Sequence, residues 1–366
     1  MAKPRDTEEQ MPTAEVASVP GATQATVPAA DLSSQLQPPE VWASLEVSED
    51  ENDSSFGGDI ASSTESVRSS ILQYRELNGR TYHRERTEGT YWGPNDDRQN
   101  NTLDVGHHAL TMIMGDKLYH APLPDHMDKV LDIGTGTGIW AIDFADEHPE
   151  ANVIGTDLSP IQPEWVPPNL SFQIDDFTDS WTFEDSSVDF VHLRWLCGSV
   201  KNWTELFKQA YRVLKPGGYI ETFDFDGHIT SDDGTVTEKT AISQWSQIFE
   251  GGARKLGMNV SFNPIKEGLQ HKALVEAGFV NITEKAYKLP ISEWSDDPLL
   301  HEVGRYMYVT LANDTEGFVG MMATSLGWTP EQISVYAAHV RREMRGLKVH
   351  AYIYGGLAYA QKPLDA

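Results

Sequence analysis

The stretch Val130-Leu131-Asp132-Ile133-Gly134-Thr135-Gly136-Thr137-Gly138 constrains this chain more than any other. Its opening residues are mostly apolar and read as a short buried strand. Three glycines at alternate positions then end the strand, and Ile139-Trp140-Ala141 opens a helix that the pattern carries to about Glu147. Gly134, Gly136 and Gly138 lack a Cβ, so the backbone can turn sharply and a ligand can lie against it. The helix behind the turn points its N-terminal amides at that ligand. Doubly wound α/β folds bind nucleotides at such a turn, outside the carboxyl end of a strand.

Spacing decides between nucleotides. The dinucleotide fingerprint is G-x-G-x-x-G, whereas here the glycines run G-x-G-x-G with Asp132 two residues ahead of the first. No G-x-x-x-x-G-K-[ST] occurs, which excludes a P-loop. Asn152-Val153-Ile154-Gly155-Thr156-Asp157 reads as a second strand ending in a carboxylate, about 20 residues on, where an acid can accept hydrogen bonds from ribose hydroxyls. Leu170 to Ile174 is a third strand running into Asp175-Asp176-Phe177, and Ser187 to Leu193 a fourth. Leu214 to Glu221 gives a helix end, a Pro216-Gly217-Gly218 turn and a fifth strand. Strands alternating with helices argue for a parallel sheet with right-handed crossovers.

This ordered set resembles the class I S-adenosylmethionine (SAM) methyltransferases. More narrowly it is similar to the fungal LaeA-like family, which includes a regulator of secondary metabolism and many pathway-encoded relatives. The narrower resemblance rests on Asn78-Gly79-Arg80-Thr81-Tyr82-His83, Tyr91-Trp92-Gly93-Pro94-Asn95-Asp96, Gly155 through Pro163 and Trp165-Val166-Pro167-Pro168-Asn169. It covers the chain from about residue 70 to Val349-His350-Ala351-Tyr352, which resembles a late family strand. The resemblance implies a Rossmann-like seven-stranded sheet with helices on both faces and a helical cap, the last strand inserted antiparallel beside the sheet edge. It implies SAM as cofactor: Asp132, Gly134, Gly136 and Gly138 on the methionine and ribose side, and Asp157 on the ribose hydroxyls. Asp175 or Asp176 would take the adenine amino group, with Phe177 beside the ring. Tyr91 and Trp92 would help close the site, unless they only pack.

Methyl transfer from a sulfonium is an in-line displacement with an excellent leaving group. Holding the acceptor close and aligned can supply most of the catalysis, and a base is needed only for weakly acidic acceptors. His192 and Arg194 leave the end of the fourth strand on the cofactor side and are the catalytic candidates. His192 has the intrinsic pKa of a base, or is a histidine satisfied by hydrogen bonds within the strand end. Arg194 could anchor an acidic substrate or pair with a nearby Asp. Cys197 lacks an identifiable His and acid and reads as a small buried residue. Asp224 and Asp226 follow the fifth strand and could line an acceptor pocket. With no H-E-x-x-H and no Cys-His cluster, no metal is expected.

Composition narrows the partners. A net charge of −27 over 366 residues argues against direct nucleic-acid binding, which needs a basic face. The single cysteine rules out an internal disulfide framework and suits an intracellular chain, cytoplasmic or nuclear. No apolar run approaches the roughly 18 residues of a membrane span. Residues 1–65, rich in Ala, Pro, Ser, Thr and acids, read as a disordered acidic tail with its densest charge at Glu46 to Asp53. An N-terminal helical or lid segment follows over 66–128, with helices at Ser66 to Glu76 and Asp104 to Leu118. Adjacent His107 and His108 would face apart on the latter. The cofactor core spans 129–290, a helical cap 291–345 and the final strand 346–366. Helices are predicted at Trp203 to Leu214, Thr237 to Leu256, Ile265 to Ala277, Asp297 to Leu326 and Pro330 to Arg345, with strands at Phe279 to Leu289 and Lys348 to Tyr359. Aromatics with Met307, Met321 and Met322 in the cap suit an apolar acceptor or plain core. The main reading is a methyltransferase acting at oxygen, nitrogen or carbon of a small secondary metabolite. The alternative is a LaeA-like regulator acting with protein partners in a nuclear complex; a fold keeping SAM only as a structural aid is a third.

Overall fold

The computed structural model describes residues 36–45, 74–83 and 91–366. Its strands are β1 (Arg75–Leu77), β2 (Arg80–Tyr82), β3 (Lys129–Ile133), β4 (Asn152–Asp157), β5 (Leu170–Ile174), β6 (Val188–Arg194), β7 (Leu214–Thr230), β8 (Val280–Pro290) and β9 (Tyr352–Gln361). Its helices are α1 (Pro39–Ser44), α2 (Asp97–Ile113), α3 (Ile139–Glu147), α4 (Trp203–Val213), α5 (Trp245–Lys255), α6 (Leu269–Ala277), α7 (Pro298–Asn313), α8 (Thr315–Ser325) and α9 (Pro330–Arg345). Seven strands form one mixed sheet in the order β5-β4-β3-β6-β7-β9-β8. Strands β3 to β7 run parallel, and β9 lies antiparallel between β7 and β8.

Side-chain alternation along the central strands sorts the two faces. Leu131, Ile133, Val191 and Leu193 enter an apolar cluster with α4 and α6. Val130 and Phe190 pack with Trp140, Ala141 and Phe144 of α3 on the opposite face. Asp132, His192 and Arg194 alternate onto that second face, and Asp132 stands opposite His192 in the β3–β6 register. A third apolar cluster joins α2, α5 and α7 through α9, and draws in Tyr82 and Trp92 from the segment ahead of β3.

Several sequence expectations shift. Within the stretch read as a disordered tail, residues 36–45 form a docked element; the acidic run Glu46 to Asp53 lies outside the described residues. Trp42 of α1 is 1% exposed and meets Tyr336 at a ring-centroid distance of 5.8 Å. His339 Nε2 donates to the Trp42 carbonyl at 2.9 Å, and the Gln37 amide donates to Gln244 Oε1 at 2.9 Å. One large residue among polar neighbours has no period to read, so only the tertiary contact reveals it. The helix expected over Ser66 to Glu76 is overturned at its described end, where Arg75 and Glu76 belong to a hairpin. Asn78 and Gly79 both take positive φ there, 54° and 74°, the backbone that a two-residue hairpin turn demands.

The helix expected over Asp104 to Leu118 instead starts at Asp97, because Asp96 caps it by accepting from the Gln99 amide at 3.2 Å. It ends at Ile113, ahead of Gly115. The single helix expected over Asp297 to Leu326 is two, since the buried Asp314 carboxylate caps α8 through the Gly317 amide and also holds Arg80 at 2.7 Å. Replacing Trp42 by Ala opens a cavity in the third cluster and should lower unfolding stability by about 3–5 kcal/mol in urea titrations. Trp42→Phe should cost far less, because the buried indole Nε1 has no hydrogen-bond partner to lose. A Trp42→Ala protein as stable as wild type would show that the α1 docking contributes nothing.

Candidate functional site

The carboxyl ends of β3, β4 and β6 open into a cleft of about 1250 Å³, its mouth included. The glycine turn forms one wall. Gly134, Gly136 and Gly138 all take positive φ (70°, 59° and 82°), a conformation that L side chains resist. A Cβ on Gly138 would stand 2.3 Å from the Phe172 ring, and one on Gly134 2.6 Å from Leu196, so close packing also requires these two. A Cβ on Gly136 would meet nothing within 4 Å. Its open side faces the cleft.

Asp157, at the end of β4, accepts from the Gly136 amide at 2.8 Å and the Ser159 amide at 2.9 Å. Burial pushes its carboxyl up to about 6 despite those bonds. Asp132 lies deeper. Its Oδ1 receives His192 Nδ1 at 2.7 Å and its Oδ2 receives the Thr135 hydroxyl at 2.6 Å. The His192 ring is 2% exposed and stacks on Trp140 at 3.6 Å, and burial pulls its pKa down. Asp176 and Phe177 line the cleft, whereas Asp175 is not among its lining residues. Asp175 Oδ1 instead accepts from the Asp176 amide at 2.9 Å, and its own amide donates to the Asp157 carbonyl.

Tyr91 and Trp92 both line the cleft. Trp92 also donates from Nε1 to the Cys197 carbonyl at 3.0 Å and meets Phe249 edge-on at 5.0 Å, so it packs as well as lines. Arg194 lacks the aspartate partner that the sequence suggested. Its Nη2 donates to His107 Nδ1 at 2.7 Å, and His107 Nε2 donates to Asp143 at 2.9 Å. His108 turns to the other side of α2, against Tyr306 at 4.5 Å. Cys197 is buried, with its thiol pushed well up by burial, as befits an inert packing residue.

Asp224, expected at an acceptor pocket, is a backbone clamp instead. Fully buried, it accepts from the amides of Leu196 at 3.2 Å and Cys197 at 3.0 Å. Asp226 does reach a second cavity, while also accepting from the amides of Ile265 and Lys266.

Three participants escaped sequence reasoning. Trp195 adopts φ +63°, a strained conformation for a bulky residue, directly after β6. Gln99 and Asn95, 1% and 5% exposed, line the cleft with Oε1 and Oδ1 lacking partners among the described residues. The position of Trp195 at a strand end could have flagged it, and Asn95 stands in the Tyr91 to Asp96 motif without a role assigned to it; Gln99 carries no sequence signal. Among the described residues no group of three or more His, Cys, Asp or Glu could hold a metal, and no helix is long and apolar enough to cross a membrane.

To accept from Arg194, His107 must carry its proton on Nε2 and stay neutral. Burial, first, and the Arg194 charge hold its pKa below the ordinary histidine value against the pull of Asp143 and Asp104. A pKa depressed by folding means that this group's contribution to stability is complete above the unfolded value and shrinks as pH falls below it. Side-chain nitrogen NMR should therefore find the Nε2–H tautomer at pH 7 and a titration midpoint below about 6.5; an elevated midpoint would refute the arrangement.

Residues 94–261 match the family model described as a methyltransferase domain. The methyltransferase pytC of Aspergillus terreus is 38% identical over 83% of this chain and 93% of its own length. The secondary metabolism regulator laeA of Aspergillus fumigatus is 35% identical over 80% of this chain and 77% of its own. The protein-methionine methyltransferase laeA of Emericella nidulans is 33% identical over 80% and 77%. With identity of this extent over most of its length, the chain belongs to the LaeA-like family of class I SAM-dependent methyltransferases.

Proposed function

We propose that this methyltransferase acts on a small, largely apolar metabolite seated in a second cavity beside the cofactor cleft. One observation carries this reading. A recess of about 530 Å³, its open mouth included, walled almost wholly by apolar side chains such as Phe225, Trp245, Phe249, Phe262 and Met307, shares Trp92, Trp195 and Phe318 with the cleft. Aromatic walls with few polar groups suit a flat or branched apolar body. Of the cap methionines, Met307 lines this cavity, while Met322 is buried in the core and Met321 receives Arg75 at its sulfur.

The residues present fit SAM. Gly136 leaves room for a ligand against the backbone, and Asn95 and Gln99 offer acceptors that no group among the described residues satisfies. In this reading the Gly134–Gly138 turn takes the methionine side, Asp157 the ribose, Asp176 with Phe177 the adenine, and Tyr91 with Trp92 closes the mouth. Bound SAM supplies an electrophilic methyl group on a sulfonium leaving group. The protein's share is alignment and exclusion of water. Asp132 and His192 act together as a fixed floor: each of the two Asp132 oxygens accepts a hydrogen bond and Trp140 covers the imidazole, so His192 holds position more than it moves protons.

Gly136→Trp should fill the cleft and weaken S-adenosylhomocysteine binding about tenfold or more by calorimetry while the circular dichroism stays native. Native affinity in a folded variant would sink the cofactor assignment. The acceptor is sought by comparing metabolites of the source organism with and without the gene. Loss of one compound with accumulation of a precursor lighter by one CH2 unit identifies a tailoring enzyme. The names of the laeA relatives favour a second reading, regulation through protein partners, and a joint fall of many unrelated products with their transcripts would support that instead.

A further inference from the structure

Arg194 occupies an electrostatically unusual position. Among the described residues lining the cleft it is the only lysine or arginine, and no carboxylate of the described residues lies within ion-pair distance of it. Nearby acids are already engaged: Asp132 by His192 and Thr135, and Asp143 by His107. Burial draws the guanidinium down to about 10, which still leaves it charged at neutral pH. A half-buried cation whose fixed partner is a neutral imidazole retains donors for something else.

The position is also rigid. His107 grips Nη2 from one side. On the other, Trp195 is held by its amide bond to the Phe223 carbonyl at 2.9 Å, and Asp224 clamps the next two amides. The Trp195 ring lies so close to α2 that a Cβ on Gly106 would stand 2.8 Å from it. Arg194 is therefore fixed one residue from the wall that divides the cleft from the aromatic cavity. At that junction the Cys197 thiol is pushed up by burial and Asp224 is spent on the backbone, and Asp226, farther along the cavity wall, already accepts from the Ile265 and Lys266 amides. An acceptor that arrives already ionised needs no base.

We infer that Arg194 recognises an anionic oxygen group of the methyl acceptor, so that the substrate is an amphipathic anion with its apolar body in the aromatic cavity. This rests on the reading of that cavity as the acceptor's seat. An anion there complements both the guanidinium and the sulfonium of the donor, which would otherwise place two cations in one poorly solvated space. The bidentate fork of arginine suits a carboxylate in particular.

The test uses the full chain saturated with S-adenosylhomocysteine and titrated with 2-naphthoate or its neutral isostere 2-naphthamide, read by calorimetry and tryptophan quenching. Wild type should prefer naphthoate about tenfold or more, and Arg194→Gln should erase the preference while still binding the amide. Arg194→Lys should keep part of it, as a point charge without the fork. Equal binding of both probes to wild type, or a preference that survives Arg194→Gln, overturns the inference and leaves the cavity reading intact. Binding of neither probe overturns the cavity reading and this inference with it. The donor's own carboxylate offers the same chemistry, so S-adenosylhomocysteine is compared with 5′-methylthioadenosine in both proteins. An about tenfold loss of the former alone in Arg194→Gln would reassign Arg194 to the donor and overturn the inference.

Discussion

Asp132 and His192 face each other across the parallel pairing of β3 with β6, joined at 2.7 Å beneath the Trp140 ring. A buried carboxylate and imidazole are costly alone and tolerable only as a satisfied unit. Satisfying them fixes the register of two central strands, because a slip of one residue in either strand would turn its member of the pair to the α4 face and leave the other buried alone. The glycine turn begins directly beyond one of these strands and the Arg194–Trp195 corner directly beyond the other. The glycine turn and the Arg194–Trp195 corner thus take their relative position from a single buried contact.

How much of this was legible depended on the range over which each signal acts. The turn from Gly134 to Gly138, helix α3 and strand β4 are local, and their residues announced them. The placing of Asp132 with His192 and Arg194 on one face also follows from a period of two. What could not be read were partners far apart in sequence. Arg194 finds His107 instead of an aspartate, Asp224 spends its carboxylate on the loop of Leu196 and Cys197, and Trp42 seats itself against α9. The choice between Asp175 and Asp176 rests on the loop's conformation, which adjacent identical residues cannot encode individually. Caps misled as well: Asp96 and Asp314 move helix ends because of where they stand in the fold.

The same family holds relatives named for methyl transfer and relatives named for regulation. The third cluster, where α2, α5 and α7 through α9 meet α1 and the Tyr82 and Trp92 segment, also supplies most of the walls of the aromatic cavity.

The clamped loop after β6 has an evolutionary consequence. Trp195 sits in a left-handed conformation, its neighbours' amides are committed to Asp224, and its ring abuts Gly106. Change at any one of these positions requires compensation at the others, so drift is blocked there. Lineages that acquire new acceptors must vary the opposite wall, through Phe249, Met307 and Phe318, which carry no such glycine contact or left-handed backbone, whereas Phe262 is itself fixed against Gly198. Diversity among related enzymes should therefore accumulate on one side of the cavity while the other stays frozen.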